Sequence, residues 1–167
     1  LSTDNYYKTG FISNIFSYLI KSYFDKIISH KQNLLKQDIN YIFKNNSINH
    51  YYKYDFINKI TNKNLKIISN IQILIIEGIF SLELTDLFSD NQYLLIRLKE
   101  NKSICRERVS KRDILERGKN KFLNFNEFNN GWRLYQKKEK KYRSKLIRAI
   151  TLNGSSDIEF LLKKLTK

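Results

Sequence analysis

Apolar residues recur along the chain with helical spacing in its first part. Within 10–23 they fall three and four residues apart, which is the spacing of a helix with one apolar face. The segment 34–43 has the same spacing and is followed by an asparagine pair, so we predict a second helix that ends there. The segment 50–69 mixes aromatic and polar residues, and we predict short strands with turns near Asn62 and Asn64.

Later in the chain, short runs of β-branched residues predict strands. The run 71–76 (IQILII) is typical of a strand that is buried on both faces of a parallel sheet. Further strands are predicted at 93–98 and 148–152, and charged helical stretches lie between them at 102–117 and 132–146. Strands that alternate with helices indicate an α/β fold with a mainly parallel sheet, in which the connections are crossovers.

Length and composition limit the class of protein. The chain has 167 residues, of which 41% are hydrophobic, so we predict a single domain over 1–167 with a real core. Its apolar runs are far shorter than the roughly 20 residues that span a bilayer, and we expect no membrane partner. The single cysteine excludes an intrachain disulfide and favours a reducing, cytoplasmic location.

The net charge of +15 predicts an anionic partner, such as nucleotide phosphates, nucleic acid or an acidic surface. A second explanation competes with this one. The chain is rich in Lys, Asn, Ile and Tyr and has no proline, and an AT-rich coding sequence would produce that bias without any selection for binding.

Two acidic residues follow predicted strands. Asp4 comes after a possible strand end at 1–3, and Glu77 closes the run 71–76. Ligands of open parallel sheets bind beyond the carboxyl ends of strands, where a carboxylate can accept a proton or hold magnesium. The alternative is that each residue caps the helix that follows it.

The helical stretch 102–117 carries a second candidate site. Arg108 and Arg112 are four residues apart and share a helix face, and Arg117, Gly118 and Lys119 follow. Guanidinium groups suit phosphate oxygens because of their fork geometry. The same residues fit a solvated helix in which acidic neighbours pair with the arginines.

Several motifs together resemble the uridine kinase family. They occur in the family's order over about 1–142, and they read LSTDNYYK (1–8), FD (24–25), LLKQD (34–38), YDF (54–56), ILIIEGIFSL (73–82) and KRDILERGKN (111–120). The EGI and RDxxERG elements are the most specific of them. The resemblance implies a three-layer P-loop kinase fold that transfers phosphate from ATP, with Mg²⁺, to the 5′-hydroxyl of uridine or cytidine.

The resemblance also implies a role for each matching residue. Asp4 would be the base at the 5′-hydroxyl, and Glu77 would belong to the magnesium environment. The nucleoside site would be lined by Tyr7, Asp25, Tyr54, Phe56 and Lys59, with Asp25 on the ribose hydroxyls. A lid over the ATP phosphates, at about 99–130, would contain Arg108, Arg112, Arg117 and Lys119.

The chain departs from the family pattern in four places. It has no G-x-x-x-x-G-K-[ST] loop, and we expect that the first strand and this loop are missing by truncation before Leu1. Lys59 stands where the family has a histidine, and Val109 stands where it has an arginine, beside Arg108. Lys26-Ile27 replaces a His-Pro pair. The last three departures leave the nucleoside preference open.

Other functions remain open at this stage. A phosphoribulokinase-like or nicotinamide-riboside-kinase-like enzyme fits the EGI element, although RDxxERG favours uridine kinase. A nucleic-acid-binding domain fits the charge and the stretch YYKY at 51–54, because stacking with cations is how single strands are held. A non-catalytic kinase relative that binds nucleosides or a protein partner, and a homo-oligomer, are also compatible with the chain.

Overall fold

A computed structural model describes residues 1–20, 22–88, 93–118, 121–153 and 157. Their contacts divide the chain into two compact units, Leu1–Leu87 and Phe88–Lys167. Each unit contains helices and one pair of strands, so the chain is α/β. The three-layer kinase arrangement and the single domain over 1–167 stay predictions.

The first unit is built from two helices and a hairpin. After a 3₁₀ turn at Thr3–Tyr6 come helices α1 (Phe11–Leu19) and α2 (Gln32–Asn45), then strands β1 (Ile48–Asp55) and β2 (Ile60–Ile68). Further 3₁₀ turns lie at Tyr23–Asp25, Ile27–Ser29 and Ser81–Leu87. Both predicted helices are present, although the first ends at Leu19 rather than at residue 23. Helix α2 ends near the asparagine pair, as expected, because Asn46 takes the left-handed conformation that closes a helix.

Strands β1 and β2 pair antiparallel, with Asp55 opposite Ile60 at the closed end. The predicted turns near Asn62 and Asn64 are wrong, because both residues lie within β2 opposite residues of β1. The turn is formed by the residues between β1 and β2. There the Asp55 carboxylate accepts hydrogen bonds from the backbone N–H groups of Ile57 and Asn58, and Lys59 has a positive φ of 53°.

The run 71–76 is not the doubly buried strand that its composition predicts. It is extended but forms no ladder with other described residues, and the side chains of Ile73 and Ile75 are each 72% exposed. Its end pairs in parallel with the start of the chain through the Ser2–Glu77 bridge. The Leu1 nitrogen donates to the Ile75 oxygen, so the predicted parallel pairing of 1–3 is present as one bridge.

The second unit contains the charged helices and a parallel strand pair. It comprises β3 (Ile96–Lys99), α3 (Lys102–Arg117), α4 (Lys121–Lys141), α5 (Arg143–Leu146) and β4 (Ile150–Asn153). Strands β3 and β4 pair in parallel with α3 to α5 as the crossover between them, as the sequence predicts. The expectation of a mainly parallel sheet is not met over the described residues, which form one antiparallel and one parallel pair.

Candidate functional site

The site in the first unit begins where the Glu77–Gly78 pair meets the start of the chain. The Thr3 N–H donates to the Glu77 carbonyl oxygen at 2.8 Å. Gly78 has a φ of 117°, and a Cβ atom there would lie 2.0 Å from Thr3 Oγ1. Only glycine fits this approach, because any side chain would combine strained backbone with a steric overlap. The contact brings Asp4, the next residue after Thr3, to the end of the extended run 71–76.

A cluster of aromatic rings follows directly. Tyr7 is buried, and its ring lies 4.8 Å from that of Tyr54 and 6.3 Å from that of Phe56, measured between centroids. Phe24 packs edge-on to Tyr7 at 5.3 Å. We call Tyr7, Phe24, Tyr54 and Phe56 the aromatic cluster. Phe56 is the most accessible of them, at 36% exposed.

Hydrogen bonds tie the segments of the cluster together. The Tyr54 N–H donates to Asn5 Oδ1 at 3.1 Å, and Thr61 Oγ1 donates to the Tyr7 carbonyl oxygen at 3.1 Å. These bonds join the hairpin to the residues around the 3₁₀ turn. On the other side, Tyr7 forms an antiparallel bridge with His30. The cluster is therefore held by backbone as well as by ring packing.

The sequence predicts roles for three carboxylates at this site, those of Asp4, Asp25 and Glu77. The structure buries them to different degrees. Asp4 is half-buried in the Thr3–Tyr6 turn, and Asp25 is half-buried directly after Phe24. The Glu77 side chain is exposed. In the part of the chain that the structure describes, no group of three or more His, Cys, Asp or Glu residues could hold a metal ion. Magnesium needs only one or two carboxylates when phosphates supply the other ligands, so the role of Glu77 stays a prediction.

Lys59 lies at the hairpin turn, two residues before Thr61. Its Nζ atom is 5.6 Å from the centre of the Tyr18 ring, which belongs to α1. This is a cation–π distance, so the described contact of Lys59 is with α1. The predicted role of Lys59 in base recognition is neither supported nor excluded by this contact.

Sequence reasoning missed two rings of the site, Phe24 and His30. Phe24 precedes Asp25 in the FD motif, and that adjacency was the available signal. His30 is buried, and its ring lies 4.1 Å from Tyr7 and 4.0 Å from Phe80, with Ser29 Oγ 2.8 Å from its Nδ1. The sequence carried no signal for His30, because its partners are far away along the chain.

The predicted lid lies in the second unit, on α3. Arg112 Nη2 is 2.9 Å from Asp113 Oδ1, and Arg117 Nη1 is 3.2 Å from the same oxygen. Asp113 is buried, so one carboxylate orients two guanidinium groups. Arg108 instead pairs with Glu100 at 3.4 Å and is mostly exposed. Lys119 lies outside the described residues.

The end of α3 is built as the sequence predicts. Gly118 has a φ of 61° and closes the helix with its N–H donating to the Asp113 carbonyl oxygen. A glycine accepts this left-handed conformation at no steric cost, which lets the chain turn after Arg117.

A cavity of about 540 Å³ also lies in the second unit. Arg97 and Glu139 line it, and the guanidinium Nε donates to Glu139 Oε1 at 2.8 Å. Tyr135 donates to the same oxygen, and burial together with that hydrogen bond raises the pKa of Tyr135 to about 12. The cavity contains none of the predicted lid arginines in its lining. Two of its lining residues, Arg97 and Glu139, are therefore already paired with each other.

Comparison with known proteins adds no relative. No protein-family model matches the chain, and no curated protein is similar to it at a significant level.

No helix of the described residues is both long and apolar enough to cross a membrane.

Proposed function

We propose that the chain binds a pyrimidine nucleoside on the aromatic cluster, as the acceptor side of an ATP-dependent 5′-phosphotransferase of the uridine kinase type. The observation that carries the proposal is the assembly of Tyr7, Tyr54 and Phe56 with Phe24, since Asp25 follows Phe24 in the chain. A nucleoside offers a flat base and vicinal ribose hydroxyls. An aromatic face with a nearby carboxylate matches both groups.

In this proposal each residue has a defined task. Phe56 stacks on the base, and the Asp25 carboxylate accepts hydrogen bonds from the ribose hydroxyls. Asp4 accepts the proton of the 5′-hydroxyl as phosphate is transferred. Its place beside the Glu77–Gly78 pair supports this role, because Glu77 would then stand near the Mg²⁺ that accompanies ATP.

The arginines of α3 form a separate part of the proposal, within the second unit. Phosphoryl transfer depends on positioning and on positive charge around the transferring group. Arg112 and Arg117, oriented together by Asp113, would bind the ATP phosphates, and the superfamily fold would be a P-loop kinase fold. The 167 residues contain no glycine-rich phosphate loop, so we expect this chain alone to bind nucleoside without transferring phosphate.

Titration calorimetry with uridine and cytidine tests the acceptor site. We expect saturable binding, about tenfold weaker in Phe56→Leu, because a leucine loses the stacking face. Phe43→Leu is the matched control, since Phe43 is exposed on α2 and should leave the affinity unchanged. Absence of saturable uridine or cytidine binding at millimolar concentrations would contradict the proposal.

The ribose contact has its own test. The unaltered chain should prefer uridine to 2′,3′-dideoxyuridine, and Asp25→Ala should bind the two equally. Asp4→Asn should retain uridine affinity to within about twofold, because Asp4 acts on the proton of the 5′-hydroxyl during transfer. Phosphorylation of uridine by the unaltered chain with ATP and Mg²⁺ would show that the glycine-rich loop is dispensable.

The second candidate, a single-stranded nucleic-acid surface, has one supporting observation. Tyr51 and Lys53 are exposed on β1. However, strand alternation turns Tyr52 and Tyr54 to the opposite face, so half of the YYKY stretch is unavailable for stacking. We expect only weak RNA binding that falls steeply with salt, and sub-micromolar affinity at about 150 mM salt would favour this candidate instead.

A further inference from the structure

A buried polar network lies on the inner side of the hairpin, behind the aromatic cluster. Tyr6 Oη donates a hydrogen bond of 2.8 Å to Asp38 Oδ2, and both residues are buried. His50 Nε2 lies 3.3 Å from the other oxygen, Asp38 Oδ1. We call Tyr6, Asp38 and His50 the buried triad, of which His50 is the half-buried member. None of its interactions is explained by the proposed nucleoside contacts.

The triad is a polar arrangement that the core has to satisfy. A carboxylate removed from water is costly unless its oxygens have partners. The Tyr6 hydroxyl donates a hydrogen bond to one oxygen, and His50 Nε2 lies close to the other without hydrogen-bond geometry. Burial, followed by the hydrogen bond to Asp38, raises the pKa of Tyr6 well above its usual value. The Tyr6 hydroxyl therefore remains a proton donor at every pH at which enzymes normally work.

The triad connects three structural elements of the first unit. Tyr6 ends the Thr3–Tyr6 turn, Asp38 lies on α2, and His50 lies on β1. Tyr52 fills the space between them, with its ring 5.3 Å from Tyr6 and 5.2 Å from His50. Apolar packing is non-directional, whereas hydrogen bonds define the angle at which two elements meet.

The neighbours of the triad along the chain are the residues of the aromatic cluster. Tyr7 follows Tyr6 directly. His50, Tyr52 and Tyr54 alternate along β1 and so lie on one face of the strand. A change in how Tyr6 and His50 are held can therefore reach Tyr7 through one peptide bond and Tyr54 through four residues of the same strand.

The geometry points to the buried triad as a set of positioning residues, which hold Tyr7 and Tyr54 in contact so that the nucleoside meets a preformed aromatic face. This inference rests on the proposed nucleoside site but concerns residues that would not touch the ligand. Preformed sites bind more tightly because the ordering of their side chains precedes binding.

Tyr6→Phe tests the role with a nearly isosteric change. The variant keeps the ring and removes the hydrogen bond to Asp38. We expect uridine affinity to fall about tenfold, and the NMR shifts of the Tyr7 ring protons, set by His30 and Tyr54, to move toward unstructured values. Tyr51→Phe is the matched control, because it removes the same hydroxyl from the exposed face of β1 and should change neither measurement.

A second pair of variants separates positioning from general stability. Asp38→Asn retains an amide oxygen that can accept the Tyr6 hydrogen bond, so it should keep the Tyr7 ring shifts. Asp38→Leu retains no acceptor and should reproduce the loss seen in Tyr6→Phe. If Asp38→Asn and Asp38→Leu behave alike, the hydrogen bond does not position the cluster and the inference is overturned.

The two proposals fail in different ways. If the unaltered chain does not bind uridine, the nucleoside site fails, and the Tyr7 ring shifts in Tyr6→Phe still decide the positioning role. Unchanged ring shifts in Tyr6→Phe overturn it. A Tyr6→Phe chain that loses its far-ultraviolet circular dichroism would assign the triad to overall stability and overturn it as well.

Discussion

The aromatic cluster of the first unit and the arginines of α3 in the second differ in the sequence distance that their contacts span. Tyr54 reaches Asn5 across 49 residues, and Thr61 reaches Tyr7 across 54. Arg112 and Arg117 reach Asp113 across one and four residues. The described contacts of the first region join distant segments, whereas the ion pairs described for the second lie within a single helix.

This difference predicts how each region responds to change. Packing of buried rings is cooperative, and truncation of one ring leaves a cavity that its neighbours fill only in part. Ion pairs on a partly exposed helix are individually weak, because water replaces a lost partner. We therefore expect a single substitution to lower the free energy of unfolding more in the first region than in the second.

The largest effect is expected for Tyr7→Ala. Truncating a buried aromatic side chain costs about 3–5 kcal/mol in the free energy of unfolding, because the ring contacts are lost and a cavity remains. Hydrogen exchange of the β1 and β2 amides in urea would measure this loss in the first unit. Tyr41→Ala is the control, since Tyr41 is exposed on α2 and should cost less than about 1 kcal/mol. Similar losses in both variants would contradict the tertiary role of the cluster.

The next effect compares two glycines with positive φ, one in each unit. Gly78→Ala should destabilise by roughly 3 kcal/mol or more, because backbone strain adds to the overlap with Thr3. Gly118→Ala should cost only about 1 kcal/mol, since nothing lies within 4 Å of the added Cβ. Thermal unfolding of both variants measures the difference, and equal losses would show that the approach to Thr3 is looser than described.

A smaller effect is expected for the ion pairs of α3. Asp113→Ala removes the shared partner of Arg112 and Arg117, and it should cost about 2 kcal/mol, since Asp113 is buried and its bonds are charge-assisted. Glu100→Ala removes the partner of the exposed Arg108 and should cost about 0–1 kcal/mol. Urea unfolding followed by fluorescence of Trp132, the single tryptophan, reports on this unit. A larger loss of stability in Glu100→Ala than in Asp113→Ala would contradict the expectation that Asp113 is the stronger partner.

The smallest effect appears only at alkaline pH. Burial and the hydrogen bond to Glu139 raise the pKa of Tyr135 to about 12, from a usual value near 10. The unfolded chain therefore releases this proton first, so the stabilisation is complete below pH 10 and is lost as pH rises towards 12. Unfolding measured between about pH 9 and pH 11 (one unit below and above the usual pKa) should show this decline.

Tyr135→Phe supplies the control, because phenylalanine cannot titrate. The variant should show a flatter decline over the same interval. An unchanged slope would mean that another group, such as Tyr6 with its raised pKa, accounts for the alkaline loss.

Local patterns located the helices but gave the exact bounds only for α3. The first predicted helix ends at Leu19 rather than at residue 23, and the stretch predicted at 132–146 is the second part of α4 followed by α5. Helix α3 spans Lys102–Arg117, as its charge and spacing predict, and Gly118 ends it in the expected conformation. The pairing of Asp113 with Arg117, four residues further on, was also available from spacing alone. Such contacts are formed within one or two helical turns, so no long-range information is needed to predict them.

The strands were predicted less well. Strand propensity describes how a side chain fits a half-buried pleated surface, and that surface exists only when a partner strand is in place. The run 71–76 has the composition of a central strand but pairs at only one bridge among the described residues. The asparagines of β2 were taken for turn residues because the sequence does not show where the hairpin closes.

The sequence by itself determined the α/β character, the presence of the helices and the bounds of α3, the charge of +15 and the motifs that name the candidate residues. Tertiary structure alone decided that His30 and Phe24 join Tyr7, that Asp38 meets Tyr6 and His50, and that Lys59 lies over Tyr18. The physical reason is that these contacts join residues far apart along the chain. Their free energy depends on the position of every element between them, and no local pattern encodes that position.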